Sequence, residues 1–517
     1  MYRRENPNQL SIEEFFLPFG GKLQSDNRWV KMAELMPWDL IESIYLKSIN
    51  EDKGRCAYSA RLAYGAIFIK EHEGLTDEQT VTAIMENPYM QYFLGMTVFT
   101  ETAPFDASMM VHFRKRFTVE DLALINETIC TGKTPEQMRN VDRNDNDDDQ
   151  GSNGNDSSDP PADDTEKTDS QDGKTGSRAG KPNKNTSKKK QKRQKKNRGK
   201  LLMDATVAPA DIKYPTDIDL LNKSREHLET AIDLLWKELP HKGHKLPYSK
   251  KKARKSYLNL AKSKKWTKAK CRKAIGDQLH FISLADSRLK EYEQQIPEFE
   301  ELFPRWLRDR LTVIPKVYEQ QKQMYESGTH RCDDRIVSLE QPHVRPINRG
   351  KRPEPTEFGQ KLHLSVVDGY TYLEQTSWEN FNEGTDLIAT AEEYLRKFGY
   401  YPEVILADKI YQTRANRAYC SEHGIRLSGP PLGRRKAAQT DAKIQNQMYR
   451  DACERNAIEG RNGNVKRRWG LDRIMAKLDE TAKTEAILNI IAMNVSHKLA
   501  LWLLRFFGIF SQTPIFQ

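Results

Sequence analysis

Apolar positions divide the chain into stretches of different period. Over residues 28–130, Leu62, Ile67, Ile69, Val81, Ile84, Met85 and Phe93 recur at helical spacing, which predicts a compact helical unit. Within it, Gly74-Leu75-Thr76-Asp77 predicts a helix stop and a capped restart, because Thr76 stands three residues before Gln79. The period changes after residue 200. Leu201 to Val207 is a short apolar run with Asp204 inside it, which predicts a buried strand. Two helical stripes follow. Leu221, Leu228, Ile232, Leu235 and Leu239 form one, and Ile275, Leu279, Ile282, Leu289 and Ile296 the other. They predict a helical hairpin. Lys361 to Val367 and Tyr370 to Leu373 then flank Asp368-Gly369, a two-residue turn signal between strands. A helix is expected over about 383–398 and a buried strand over Val404 to Ala407, ending at Asp408. A helix over roughly 412–423, a short strand at Ile425 to Leu427 and a helix over about 450–478 carrying Glu459 complete the pattern.

This order is a meander followed by alternating α/β units, the order of a ribonuclease-H-like fold. The expected architecture is an α/β core with a mixed five-stranded sheet, and a helical insertion at about 218–326 between the first and second strands. An all-α N-terminal domain covers 1–135, the α/β core 201–480, and an apolar C-terminal helix 481–517. In such a sheet the first and fourth strands lie side by side, so Asp204 and Asp408 become neighbours, and the last helix can bring Glu459 to them.

Composition adds partners and excludes some chemistries. The 517 residues carry a net charge of +10, which raises the odds of a nucleic-acid partner without fixing a fold. Residues 142–172 hold twelve Asp and Glu against two Lys and Arg, while 174–200 hold thirteen Lys and Arg and no acid. Neither half has the apolar residues to order itself, so 141–200 reads as a disordered linker. Its basic half either lies along phosphates or folds back on the acidic half as a spacer. The lysine-rich stretch from Lys242 to Lys273, with Tyr257 and Trp266, offers a basic edge for DNA. The hairpin at Gly74 either reads DNA or only packs. Six scattered cysteines, with no C-x-x-C pair, are neither a disulfide framework nor a zinc site. His241 and His244 lie in a lysine-rich loop, a poor place for a metal. The start, MYRRENPNQLSIEEFF, has no apolar core of a signal peptide. The apolar stretch from Ala486 to Phe510 is broken by Asn489, Asn494, His497, Lys498 and Arg505, so it reads as a buried or interface helix rather than a membrane span.

Three clustered carboxylates repel one another, and hard divalent cations remove that cost; oxygen ligands suit Mg²⁺ or Mn²⁺. Two such ions can activate a nucleophile and stabilise a leaving oxygen in phosphodiester displacement. On the last helix Arg455, Glu459 and Lys466 are spaced by four and seven residues, which puts them within roughly 40° of one face. Read alone this is an ordinary i,i+4 salt bridge. Gly460 and Gly463 inside the helix, and Lys466-Arg467-Arg468-Trp469 after them, suit a phosphate strand passing over the carboxylate.

These pieces resemble the DDE transposases of bacterial insertion sequences. The similarity lies in MDATV with Asp204, KYPTDIDLLNKSRE, EFGQKLHLSVVDGY, VILADKIY with Asp408, and ERNAIEGRNGNVKRRWGLDRIMAKL with Glu459. The last holds the R-x3-E-x6-K spacing of one large superfamily as Arg455, Glu459 and Lys466. The tyrosine expected three residues before the arginine is replaced by Ala452; Tyr449 lies one turn earlier. The N-terminal RLAYGAIFIKEHEGLTDEQTVTAIMENPYMQYFLGM is also similar to the domain preceding the core in these enzymes.

The resemblance implies metal-dependent cleavage at the element's ends and strand transfer into target DNA. Asp204, Asp408 and Glu459 would hold two Mg²⁺ or Mn²⁺ ions. Arg455, Lys466, Lys409 and Arg467 would contact phosphates, and Trp469 would either stack on an unpaired base or sit in the core. The implied partner is double-stranded DNA, both terminal inverted repeats and target, gripped by a homodimer in the cytoplasm at the nucleoid, with no membrane. The alternatives are a catalytically dead DNA-binding descendant and a nuclease without joining activity.

Overall fold

A computed structural model describes residues 11–49, 57–140, 196–239, 244–245, 247–348, 356–429 and 442–506. The linker up to residue 195 and His241 lie outside them.

The N-terminal unit is helical, as its period predicts: α1 (Arg28–Leu35), α2 (Trp38–Lys47), α3 (Ala60–Glu73), α4 (Asp77–Glu86), α5 (Pro88–Phe93), α6 (Met109–Arg114), α7 (Val119–Thr131) and α8 (Pro135–Asn140). Gly74 closes α3 in the left-handed conformation, and Thr76 with Gln79 forms the capping box of α4. Almost every position of α3 is buried, which makes it the centre of this unit. The exposed positions of α4 are Glu78, Gln79, Thr82 and Glu86, with no cation among them.

The core sheet contains β1 (Lys200–Pro209), β2 (Arg345–Asn348), β3 (Thr356–Val367), β4 (Tyr370–Ser377), β5 (Val404–Leu406) and β6 (Arg426–Leu427). It is a mixed sheet. β3 runs antiparallel to β1, β2 and β4, whereas β5 runs parallel to β1 and β6 parallel to β5. The expected five strands are six: β2 pairs Arg345 to Asn348 with the first residues of β3, a four-residue strand too short to show a period. The β3–β4 turn is tight because Asp368 and Gly369 both take positive φ, 49° and 82°.

Between β1 and β2 lies the insertion: α9 (Asp217–Glu238), α10 (Lys250–Ala261), α11 (Lys268–Glu293), α12 (Arg305–Leu311) and α13 (Ile314–Ser327). Leu221, Leu228, Ile232 and Leu235 of α9 meet Leu279, Ile282 and Leu289 of α11 in a core of their own, as the two stripes predict. After β4 come α14 (Leu387–Phe398) and α15 (Arg414–Glu422), then α16 (Ala442–Trp469) and α17 (Asp479–Phe506). The helix carrying Glu459 therefore starts and ends earlier than its apolar pattern predicts. Gly470, at φ 78°, turns the chain after Trp469.

α17 is not an appendage. Ile487, Ile490, Ile491 and Val495 share one continuous apolar cluster with Trp29 and Phe68 of the N-terminal unit and with Leu362 and Leu364 of β3. It is long and apolar enough to cross a membrane, yet half of its most apolar window is buried inside the protein. Polar groups pin this seam. Asn494 donates to Asn126 of α7 (2.8 Å) and to the Thr371 carbonyl of β4 (2.7 Å), and accepts from the Thr371 N–H (3.0 Å). Glu485 accepts from the N–H groups of Met475 and Ala476, 2.8 Å each. Burial, and then the neighbouring Glu71, raise its carboxyl to about 7. A carboxyl raised on folding stabilises fully below its unfolded value, about 4.3, and that contribution is lost as pH rises through the folded value. Urea midpoints measured between about pH 5 and pH 8 should therefore fall with pH more steeply for the wild type than for Glu485→Gln.

Candidate active site

Side chains on β1 alternate. Leu201 and Met203 enter the cluster that holds Tyr372, Ile405 and Tyr411, while Leu202 enters another with Val366, Leu406 and Ile458 of α16. By the same alternation Asp204 shares the face of Leu202, under α16. The β1–β5 pairing aligns Lys200, Leu201 and Leu202 with Val404, Ile405 and Leu406. The pairing ends there; Asp204 and Asp408 each follow two residues after the last pair. Asp408 is exposed, and its carboxylate accepts from the N–H of Lys409 (2.8 Å) at the start of a single helical turn, Lys409–Tyr411.

α16 lies over this end of the sheet. Asp451, Ile458, Asn462, Val465 and Trp469 are buried along one stripe. Asn462, the amide in that stripe, donates to Asp204 Oδ2 at 3.0 Å. Glu459 stands beside the stripe, with its side chain 56% exposed and paired to Arg455 at 3.3 Å. It remains close enough to act on Asp204. Burial raises the Asp204 carboxyl, the charges of Glu383 and Glu459 raise it further, and Arg455 opposes them. The two aspartates and Glu459 are thus brought to one region, but among the described residues no three His, Cys, Asp or Glu side chains converge closely enough to hold an ion.

Several neighbours were not legible in the sequence. Glu383 precedes α14 and ion-pairs with Lys361 at 3.5 Å. Tyr411 is fully buried and its hydroxyl has no hydrogen-bond partner, although the charges of Glu383, Asp204, Asp386 and Asp408 all act on it. His363, opposite Ala205 on β3, stacks on Tyr411 at 5.8 Å, and burial lowers its imidazole to about 4, so it is neutral at pH 7. Asn462 left one signal, a polar residue on an otherwise apolar stripe. Glu383 and Tyr411 left none, because tertiary folding alone brings them here.

The cations divide. Lys409 and Arg467 are exposed, and Arg467 also donates to the Gly463 carbonyl at 3.2 Å. Arg455 and Lys466 are half-buried. Tyr449 is 73% exposed on α16. Trp469 overturns its stacking role. It is 6% exposed and its ring lies 5.2 Å from His72 of α3, so no base can reach its face. A Cβ added at Gly460 would meet nothing within 4 Å. The protein itself therefore does not require a glycine there.

Residues 18–116 match the family described as Transposase domain (DUF772), and residues 405–496 match the Transposase DDE domain family. The second match contains Asp408, Arg455, Glu459 and Lys466; Asp204 lies outside it. A protein of Rhizobium meliloti, named only as uncharacterized protein ORF8 in the nfe locus, is 33% identical over 119 residues, which is 22% of this chain and 57% of that protein's length. No solved structure matches the chain. One transposase domain over the helical N-terminal unit and another over the segment that contains Asp408 and Glu459 together support a DDE transposase of an insertion sequence.

Proposed function

We propose that this chain cleaves DNA at the ends of its own element and joins the freed ends to target DNA, using Asp204, Asp408 and Glu459 on a ribonuclease-H-like core. The observation that carries this reading is that Asp204 and Asp408 each lie two residues beyond the last pair of the parallel β1–β5 ladder, beneath the helix bearing Glu459. The strand order β4-β3-β1-β5-β6, with β1, β5 and β6 parallel, supports the fold assignment.

The donor set fits a hard divalent cation in kind: carboxylate oxygens, one of them desolvated and facing like charges. Asp204 and Asp408 would hold it, and Glu459 would join them on leaving Arg455. A bound ion of this class lowers the pKa of an attacking water or hydroxyl and neutralises charge at phosphorus. Asn462 orients Asp204 through its 3.0 Å hydrogen bond. Lys409, Arg455, Lys466 and Arg467 would pair with backbone phosphates around the scissile bond. The open space over Gly460 suits the same strand. Two DNA ends held by a homodimer complete the proposal.

The deciding experiment uses a fragment carrying the element's end. Wild type with Mg²⁺ should nick it and transfer the 3′ end to a second duplex. Glu459→Gln should bind equally but cut about 10³-fold more slowly. Equal cutting by both would reject Glu459. Binding without cutting by either would leave a DNA-binding descendant, and cutting without transfer a nuclease. Removing the Asn462 amide by Asn462→Ala should weaken Mn²⁺ affinity about 10–100-fold in calorimetry, with the fold intact.

A further inference from the structure

The segment from residue 250 to 273, which forms α10, the following loop and the first turn of α11, contains twelve Lys and Arg and no Asp or Glu. With those twelve set aside, the 83 Lys and Arg of the chain fall to 71 against 73 Asp and Glu. Among the described residues this hairpin is thus a concentrated block of positive charge.

The fold turns these cations outward. Ala253 and Leu260 are buried, and Leu260 packs with Ile218 and Ala274. The Tyr257 hydroxyl donates to Asp219 (2.7 Å), the Ser256 hydroxyl to Asp277 (2.8 Å), and the Gln278 amide to the Ala253 carbonyl (3.0 Å). The inner face of α10 is therefore anchored through its own uncharged side chains and backbone, and its lysines are left at the surface. Lys250 ion-pairs with Asp233 at 3.0 Å, and Arg272 donates to the Tyr325 carbonyl at 2.9 Å while lying over its ring. Lys251, Lys252, Arg254, Lys255, Lys262 and Lys273 make no ion pair among the described residues. Like charges one turn apart repel, as Lys251 and Lys255 do, so the arrangement is unfavourable until a polyanion meets it.

The shape suits a phosphate row. A groove of about 480 Å³ between α10 and α11 is lined by Lys252, Lys255, Lys270 and Lys273, with Asn259 as an uncharged donor and one acid, Asp277, engaged by the Ser256 hydroxyl. A second of about 520 Å³ runs beside Lys251, Arg254 and Lys262. Lys251, Lys255 and Lys262 recur at four and seven residues, one stripe of helix with steps of about 6 and about 10 Å. Lysines are point charges without the fork that reads a base edge, and a single exposed indole, Trp266, is not a stacking platform for a run of unpaired bases.

We propose that the α10–α11 hairpin is a second DNA-binding surface, separate from the carboxylate site, that holds the sugar–phosphate backbone of duplex DNA without regard to sequence. This rests on the reading that DNA is the substrate, and adds where flanking or target duplex lies against the protein.

The test is the salt dependence of duplex binding by the full-length chain, followed by fluorescence anisotropy from about 50 to 200 mM salt. Each phosphate contact contributes about −0.9 to the slope of log K against log salt. The variant Lys251→Gln, Arg254→Gln, Lys255→Gln, Lys262→Gln should make that slope shallower by about 3–4, for any duplex sequence. A control with Lys22, Lys47, Lys115 and Lys316 each changed to Gln should leave it in place. Equal slopes in wild type and the α10 variant, with unchanged melting temperature, would overturn the proposal, as would an equal loss in the control. So would a larger effect on single-stranded than on duplex DNA. Asp204→Asn separates this from the catalytic reading. A wild type that never cuts, with the α10 slope change intact, sinks the chemistry and keeps the surface; cutting with no slope change does the reverse.

Discussion

Asp204→Asn should abolish cleavage, by about 10³-fold or more, while leaving DNA affinity within a few fold. The side chain sits under α16 just past the β1–β5 ladder, with Asn462 donating to it. An amide keeps the shape and can still accept from Asn462, but it removes the charge a divalent cation needs. The same substitution should raise the melting temperature in metal-free buffer. The Asp204 carboxyl is raised on folding, by burial first and then by Glu383 and Glu459. Its stabilising contribution is therefore complete only below the unfolded value of about 3.9 and is lost as pH climbs through the higher folded one. At pH 7 the ionised group works against folding, and asparagine removes that penalty. Lost activity together with gained stability is the signature of a site built for a ligand; a loss of both would mean that Asp204 is structural.

The second large effect concerns the seam between the N-terminal unit and the sheet. Asn494→Leu should destabilise the protein by about 2–4 kcal/mol. Asn494 is fully buried and serves three partners, so leucine strands the Thr371 N–H and removes the donor from Asn126. Asn489, on the same helix, is the internal control. It is equally buried, yet neither its Oδ1 nor its Nδ2 has a hydrogen-bond partner. Asn489→Leu should be neutral or stabilising, because it exchanges an uncompensated polar group for an apolar one. Denaturant midpoints of the two variants check the pair. Equal losses would mean that volume, not hydrogen bonding, governs the seam.

Period and turn chemistry were enough to find most elements. The β3–β4 hairpin announces itself through Asp368-Gly369, since few residue pairs accept two positive φ values. The two stripes of the insertion are long and regular, and they meet as predicted. The carboxylates stood out because an acid inside or at the end of an apolar strand is costly without a purpose. β2 leaves no sequence signal because four residues show no period, and α16 ends before its apolar pattern does because Gly470 adopts the left-handed conformation. The Trp469 ring could not be assigned, since a tryptophan beside three cations suits a base and a core equally well; only its contact with His72, nearly four hundred residues earlier, decides it.

The sequence by itself determined which segments are helix and strand, which acids are out of place, and that the positive charge is concentrated, because these depend on neighbours along the chain. The tertiary structure decided the rest. It brought the end of β5, two residues before Asp408, beside β1 and Asp204, placed Asn462 on Asp204, gathered Glu383, His363 and Tyr411 behind them, and wedged α17 between the two units. Each of these joins residues far apart in the chain, and their spacing in sequence carries no trace of the contact until the sheet order and helix packing are fixed.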